Sequence, residues 1–574
     1  MPKGAARRRA GAGARAGLAG KANADGSSQA ILEHDALIGA SLHRMAALLG
    51  RPEARAAGQQ AYEYIVATIA RRTGWDKPRT ESGEPAWIAV REIELEIENF
   101  AYAIAQEASS AEWLFFIRLA PYVFMGHEPD ASFGYLTSHA ETISALSARP
   151  TGKSIPAPGN YRGYQIDPGS MHRLGAVALL LAQVQNLLRC AGKGCVVTSR
   201  PGSLPGVVPN PAIDEMTALW DNRMSEPRFA FLSRAGLYSH KLHARPSIED
   251  DSIPLVQHFQ GKYAQSHLPL AAIPTLSDIR LPEDVRFPKP VLDLIVLLVS
   301  GNFFRIGNKG TIQTDIADFE RTGANFRPLP QLLGDIEIAL ELIRRKTAAR
   351  SIPETIRFDS PAQIFNRLVG DEVELWPPSF GPAIRPAGDN VFLRDIYGAT
   401  QRLEKELSRP PEAAGTPMAN IWSEHFEDVI QETIDSTGWK PSPELAKLRR
   451  VKLKAAGKEI TDLDGVGENA NRALLVDCKD FPFSKAWERG EYGAVRNLAS
   501  DVDKAVRDWD AKMATLRAQP VGGNYDLSAY AELIGVVVVP EVPWTAHKNS
   551  VREVAPGLRV AVSANELDRW LHGE

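Results

Sequence analysis

Apolar residues return at i, i+3 and i+4 through much of the first 150 residues, the spacing of helices that bury one face. "ALIGASLHRMAALLG" and "EYIVATIARRTGW" carry that rhythm, and each closes at a glycine, a common helix stop. "PAWIAVREIELEIENFAYAIAQEASSAEWLFFIRLAPYVFMG" extends it, so residues 29–150 are expected to form a helical N-terminal domain. Prolines and glycines then crowd "PTGKSIPAPGNYRGYQIDPG", which reads as a joint. Beyond it "MHRLGAVALLLAQVQNLLRC" predicts a strong helix, and residues 170–408 are expected to be a mainly helical accessory or specificity region. Within it, "LPQLLGDIEIALELIRRKTAAR" and "FLRDIYGATQRLEKELS" are the later helix candidates.

The rhythm changes after "RPPEAAGTPMAN", residues 409–420, a linker by composition. A helix ("IWSEHFEDVIQETIDSTGW") leads to apolar strands and a second helix ("AVRNLASDVDKAVRDWDAKMATL"). The β-branched run "LIGVVVVPEV", the strand "LRVAVS" and a closing helix "ANELDRWL" follow. That order predicts an α/β layer domain over residues 421–574.

Composition narrows the picture little. The 574 residues are 44% hydrophobic and 24% charged with a net charge of -4, so any affinity for nucleic acid must come from a local patch. Three cysteines point to a reducing compartment and a cytoplasmic protein. Cys190 and Cys195 lack the second pair that a zinc site would need and read as ordinary thiols. The longest apolar run, "PVLDLIVLLVSGNFF", is broken by Asp293, so no membrane span is expected. Residues 1–28 carry six basic residues before the first acid, Asp25, and read as a disordered basic tail.

Chemistry concentrates in "KEITDLDGVGENANRALLVDCKDFP", residues 458–482. If "EITDLD" is a strand, Asp462 and Asp464 share a face; "GVGENAN" then reads as a turn, and "RALLVDCKD" as a strand with Asp477 and Lys479 on one face. Antiparallel pairing brings Asp462 or Asp464 beside Asp477 and Lys479. Converging carboxylates repel unless a cation neutralises them, and Mg²⁺ suits such an oxygen-rich site. A neighbouring lysine can hold water or stabilise charge growing on a phosphate.

These residues resemble the core of the PD-(D/E)xK, restriction-endonuclease-like nucleases. Twelve residues separate Asp464 from the acid-x-Lys triplet Asp477-Cys478-Lys479. Upstream, "FEDVIQETIDSTG" matches the family's helix pattern at Phe426, Glu427, Ile430, Ile434 and Gly438. The resemblance covers residues 420–574 and implies a central mixed sheet flanked by helices, with a larger, mainly α-helical region before it. It also implies a Mg²⁺-dependent endonuclease, with Mn²⁺ as substitute, acting on DNA before RNA. Asp464, Asp477 and Glu427 would hold the metal, Asp462 standing in reserve, and Lys479 would position the attacking water.

Immediately before the acidic stretch, Lys447, Arg449, Arg450, Lys452 and Lys454 form a basic cluster that reads either as a surface for a phosphate backbone or as a solvated helix face. A specificity region joined to such a domain is similar to restriction or phage-defence effectors, which implies a homo-oligomer or a defence-system partner. The rival expectation is a non-catalytic nucleic-acid-binding protein that keeps the fold. "YEYIVATIARRTGW" repeats the spacing of "FEDVIQETIDSTGW" without a following acid-x-Lys, and reads as chance or a shared helix-ending device, not as a second nuclease domain.

Overall fold

Three long helices in the first half of the chain bury their apolar stripes against one another. The computed structural model describes residues 51–114, 167–224, 417–481 and 484–573 continuously, with shorter stretches between 145 and 402. The expected tail at 1–28, the helix at 36–50 and residues 409–416 of the expected linker lie outside the described residues.

Helix α1 (Pro52–Thr73) stops at Gly74, whose φ of 74° is open to glycine at little cost. Helix α2 (Gly83–Ala105) follows the two-residue strand β1 (Thr80–Glu81). Helix α3 (Pro168–Gly192) starts at Asp167, whose carboxylate accepts from the Ser170 N–H at 3.0 Å. Ile65, Ile69, Ile93, Ile97, Leu174, Leu181 and Leu188 meet in one buried cluster. Helices from both sides of the joint expected at 150–169 therefore share a single core. By length and composition α3 is long and apolar enough to cross a bilayer. Here it is packed against α1 and α2. Two short strands, β2 (Val197–Thr198) and β3 (Gly206–Val207), complete a small antiparallel sheet with β1.

The chain is mixed α/β, and the middle region holds more strand than its sequence suggests. Among the described residues it contains helices α4 (Pro211–Met224), α5 (Leu329–Ala348) and α6 (Pro361–Gly370). One antiparallel sheet runs β4 (Lys241–Ala244), β5 (Ala264–Pro269), β7 (Thr311–Asp315), β6 (Phe304–Ile306). Another runs β8 (Ala324–Pro328), β10 (Val391–Asp395), β9 (Ile384–Gly388). The helix expected over 392–408 thus begins as β10. Both edges of that segment are paired, to β8 and β9, and those ladder hydrogen bonds override its helical periodicity.

The C-terminal block opens with α7 (Pro417–Asp435), so the last residues of the expected linker already belong to a helix. The one-turn helix α8 (Pro443–Ala446) leads into a separate hairpin, β11 (Leu453–Ala455) and β12 (Lys458–Thr461). The main sheet comprises β13 (Gly465–Asn469), β14 (Arg472–Cys478), β15 (Glu532–Val539) and β18 (Ala561–Ser563), in that order. The first pair is antiparallel and the other two parallel. Helices α9 (Lys485–Glu488) and α10 (Tyr492–Ala518) cross from β14 to β15, and a 3₁₀ turn and the β16 (Glu553–Ala555), β17 (Leu558–Arg559) hairpin precede β18. Helix α11 (Ala564–His572) closes the chain on a Ser563–Glu566 capping box. On one face of the sheet Leu474, Val476 and Cys478 pack with Phe426 and Ile430 of α7; on the other Leu475 and Val537 pack with Trp509 and Met513 of α10.

Helix α4 fastens this block to the rest of the chain. Arg223 grips both Glu566 oxygens at 2.7 Å and donates to the Ala561 carbonyl at 2.8 Å. Trp220 Nε1 donates to the Val542 carbonyl at 2.9 Å. A side chain at Gly192 would run into the Gly490 carbonyl, so α3 and the turn before α10 approach backbone to backbone.

Candidate active site

The acidic stretch folds differently from its sequence reading, and the difference assembles the site. "EITDLD" is not one strand. β12 ends at Thr461, Leu463 bridges to Arg449, and Asp464 lies in a bend just before β13. The expected turn "GVGENAN" is mostly strand: Gly465 to Asn469 pair with Val476 to Arg472, and the reversal is confined to Ala470 and Asn471. Ala470, with φ of 55°, takes the left-handed position of that tight turn.

The glycines in this strand serve packing rather than turning. A Cβ at Gly467 would lie 2.8 Å from Ile434 Cγ2 and 2.9 Å from the Trp439 carbonyl oxygen. Their absence of side chain lets α7 lie directly on β13. As the sheet's first strand, β13 exposes an edge, and α7 covers it. Gln431 accepts from the Val466 N–H and donates to the Val466 carbonyl, both at 2.9 Å, as a neighbouring strand would.

This register carries Asp464 to the end of β14. Its N–H donates to the Val476 carbonyl at 3.0 Å, and its Oδ2 accepts from the Cys478 N–H at 2.7 Å. Burial, with the Glu427 and Asp477 carboxylates adding to it against that N–H, pushes the Asp464 carboxyl up to about 7. Asp477 is buried, and its Oδ2 lies 2.8 Å from Lys479 Nζ. Burial disfavours the Lys479 ammonium, but the Asp477 carboxylate outweighs it and holds the pKa above the ordinary lysine value. Asp462 stands between the two strands and is exposed.

Three further features escaped the sequence reading. Lys512 reaches from α10 to 3.9 Å from Asp477 Oδ1, and only the crossover brings it there. Asp480, in the loop after β14, is half-buried, and burial pushes its carboxyl up to about 6. Glu427 is held by Arg450, whose Nε donates to Oε2 at 2.8 Å, while Arg449 lies 2.5 Å from Asp428 Oδ1. Two members of the expected phosphate-binding cluster are thus engaged internally, and Lys452 pairs with Glu459 at 3.1 Å. Lys447 and Lys454 are exposed.

The arrangement gathers negative charge at one end of β13 and β14 beside a protonated lysine. Among the described residues, no three His, Cys, Asp or Glu side chains are close enough to hold a metal ion as they stand. The donor chemistry nonetheless fits a hard divalent cation. The Glu427 and Asp477 carboxylates both raise the proton affinity of Asp464, so a positive charge at Asp464 would be attracted by all three. Comparison with protein-family models, with curated proteins and with solved structures found no match.

Proposed function

We propose that residues 421–574 form a restriction-endonuclease-like domain that hydrolyses phosphodiester bonds in DNA with Mg²⁺, Mn²⁺ substituting. The supporting observation is the convergence of Asp464, Asp477 and Lys479 at one end of an antiparallel hairpin, with the Glu427 charge felt at Asp464. Asp464, Asp477 and Glu427 are the residues that would hold the ion, which when bound would polarise the phosphate and lower the pKa of an attacking water. Lys479 stays charged at neutral pH, so its Nζ acts as a donor. It orients the water or a phosphate oxygen, and it does not remove a proton. The exposed Lys447 and Lys454 are the members of the basic cluster that would meet a phosphate backbone.

The remainder of the chain, fastened through Arg223 to Glu566, supplies specificity or senses a partner, as in a restriction or phage-defence effector. The three free thiols suit a cytoplasmic setting.

Plasmid cleavage in Mg²⁺ tests the proposal. Asp477→Ala and Lys479→Ala should each lower the nicking rate at least about 100-fold. Cleavage equal to wild type in both would remove the site. A second reading, binding without cleavage, draws on Glu427 being tied to Arg450. It predicts a wild type that retards DNA in a gel and never nicks it. Substituting RNA in the same assay distinguishes the substrate.

A further inference from the structure

Arg450 holds φ at 59°, a left-handed conformation that residues other than glycine rarely adopt. Its N–H donates to the Leu463 carbonyl at 2.7 Å, which pins that backbone beside the bend leading to Asp464. The guanidinium lies along α7. Nε donates to Glu427 Oε2 and Nη2 to the Glu424 carbonyl, each at 2.8 Å, and Nη2 is 3.2 Å from Asp428 Oδ1. Arg449 completes the set, with Nη2 at Asp428 and Nε donating to the Asp464 carbonyl at 2.9 Å. Two arginines therefore join the helix acid to the strand acid, and an internal cation sits on Glu427.

We propose that Arg450, supported by Arg449, is an internal counterion that duplex DNA displaces, releasing Glu427 to hold a divalent cation with Asp464 and Asp477. The inference rests on the nuclease reading above. Backbone phosphates draw the guanidinium away from Glu427, because a phosphate offers the same fork of charged acceptors. The Arg450 side chain is 41% exposed, so exchanging one screened ion pair for another costs little. The bonds to Glu427 and the Glu424 carbonyl keep the guanidinium against the helix until phosphate arrives. DNA and cation then bind with positive coupling, each raising the affinity of the other by one factor. Arg450 is a positioning residue: it acts through Glu427 and touches neither water nor the reacting phosphorus.

The experiment measures Mn²⁺ affinity of the full chain by electron paramagnetic resonance of free Mn²⁺, without DNA and with a phosphorothioate duplex that resists cleavage. In the wild type, the duplex should tighten Mn²⁺ binding about 10-fold. In Arg450→Gln, Mn²⁺ should bind without DNA about as tightly as to the wild type with DNA, and the duplex should add less than about twofold. Arg450→Lys, which keeps the charge, should restore part of the coupling. Thermal melts confirm that each variant is folded, and Arg450→Gly, suited to the positive φ, replaces Arg450→Gln if that variant unfolds. If the Asp464→Asn substitution abolishes Mn²⁺ binding while Arg450→Gln and Arg450→Gly bind as the wild type does, the counterion role is overturned and the metal site stands. If the wild type binds no Mn²⁺ with or without DNA, the nuclease reading and this inference fall together.

Discussion

The Asp464 carboxylate accepts a 2.7 Å hydrogen bond from the Cys478 backbone N–H, tying the bend before one strand to the end of the next. Together with the bond from the Asp464 N–H to the Val476 carbonyl, it holds Asp464 beside the end of β14. The bond from Cys478 favours the ionised form, but burial, with the Glu427 and Asp477 carboxylates adding to it, outweighs that N–H and Lys479 and favours the protonated form.

Stability in chelator should therefore fall as pH rises between about 4, where the unfolded carboxyl ionises, and about 7, where the native one does. Below that window the contribution of Asp464 is fully present, and above it the contribution is lost. Asp464→Asn cannot ionise and keeps an oxygen for Cys478. Relative to wild type it should gain on the order of 2 kcal/mol from pH ~4 to pH ~8, after discounting for partial exposure. Denaturant melts at the two pH values check this; parallel curves would refute the burial account.

Lys479→Ala should destabilise as well as inactivate. It leaves the buried Asp477 with Lys512 at 3.9 Å in place of Lys479 at 2.8 Å. Breaking such a pair from one side costs about 3 kcal/mol. Replacing both partners, Lys479→Met with Asp477→Leu, should recover most of that stability and none of the cleavage. Urea melts alongside the nicking assay separate the two effects.

Two glycines that look alike in sequence should behave oppositely. Gly467→Ala drives a methyl into Ile434 and the Trp439 carbonyl and should cost about 2 kcal/mol or more. A Cβ at Gly438 meets no atom within 4 Å, and its φ is not positive, so Gly438→Ala should stay within about 0.5 kcal/mol. Equal destabilisation in chemical unfolding would contradict the helix-on-strand approach.

Arg223→Met should loosen the C-terminal block from α4. Burial opposes the Glu566 carboxylate, but Arg223 outweighs it and holds the pKa below the ordinary value. The stabilisation is present above the unfolded glutamate value of about 4.3 and is lost as pH falls through the native one. The variant should lose about 3 kcal/mol at neutral pH, and the gap to wild type should narrow on acidification. Limited proteolysis between residues 224 and 484 gives an independent readout, with faster cutting expected in the variant.

The helices of the first half were legible because each must bury a stripe, and the i, i+3, i+4 spacing of Ile65, Ile69, Ile93 and Ile97 records that need directly. What completes their core was not, since α3 arrives from beyond a proline-rich joint. The echo between residues 62–75 and 426–439 dissolves for a similar reason. Gly74 ends α1 in a left-handed conformation, whereas Gly438 does not adopt one.

At the candidate site, sequence alone determined the cast: an acid-x-Lys triplet after an apolar run, an acid upstream of it, and a helix glutamate. Residue type and local spacing fix those, because they are properties of the chain before it folds. Tertiary structure decided the register. Gly465 and Gly467 carry the composition of a turn, yet they form a strand because α7 needs a surface without side chains to lie on. That choice aligns Asp464 with Cys478, and the fold seats Lys512 beside Asp477 and Arg450 on Glu427. Pairings of this kind join residues tens of positions apart, and no local pattern can encode them.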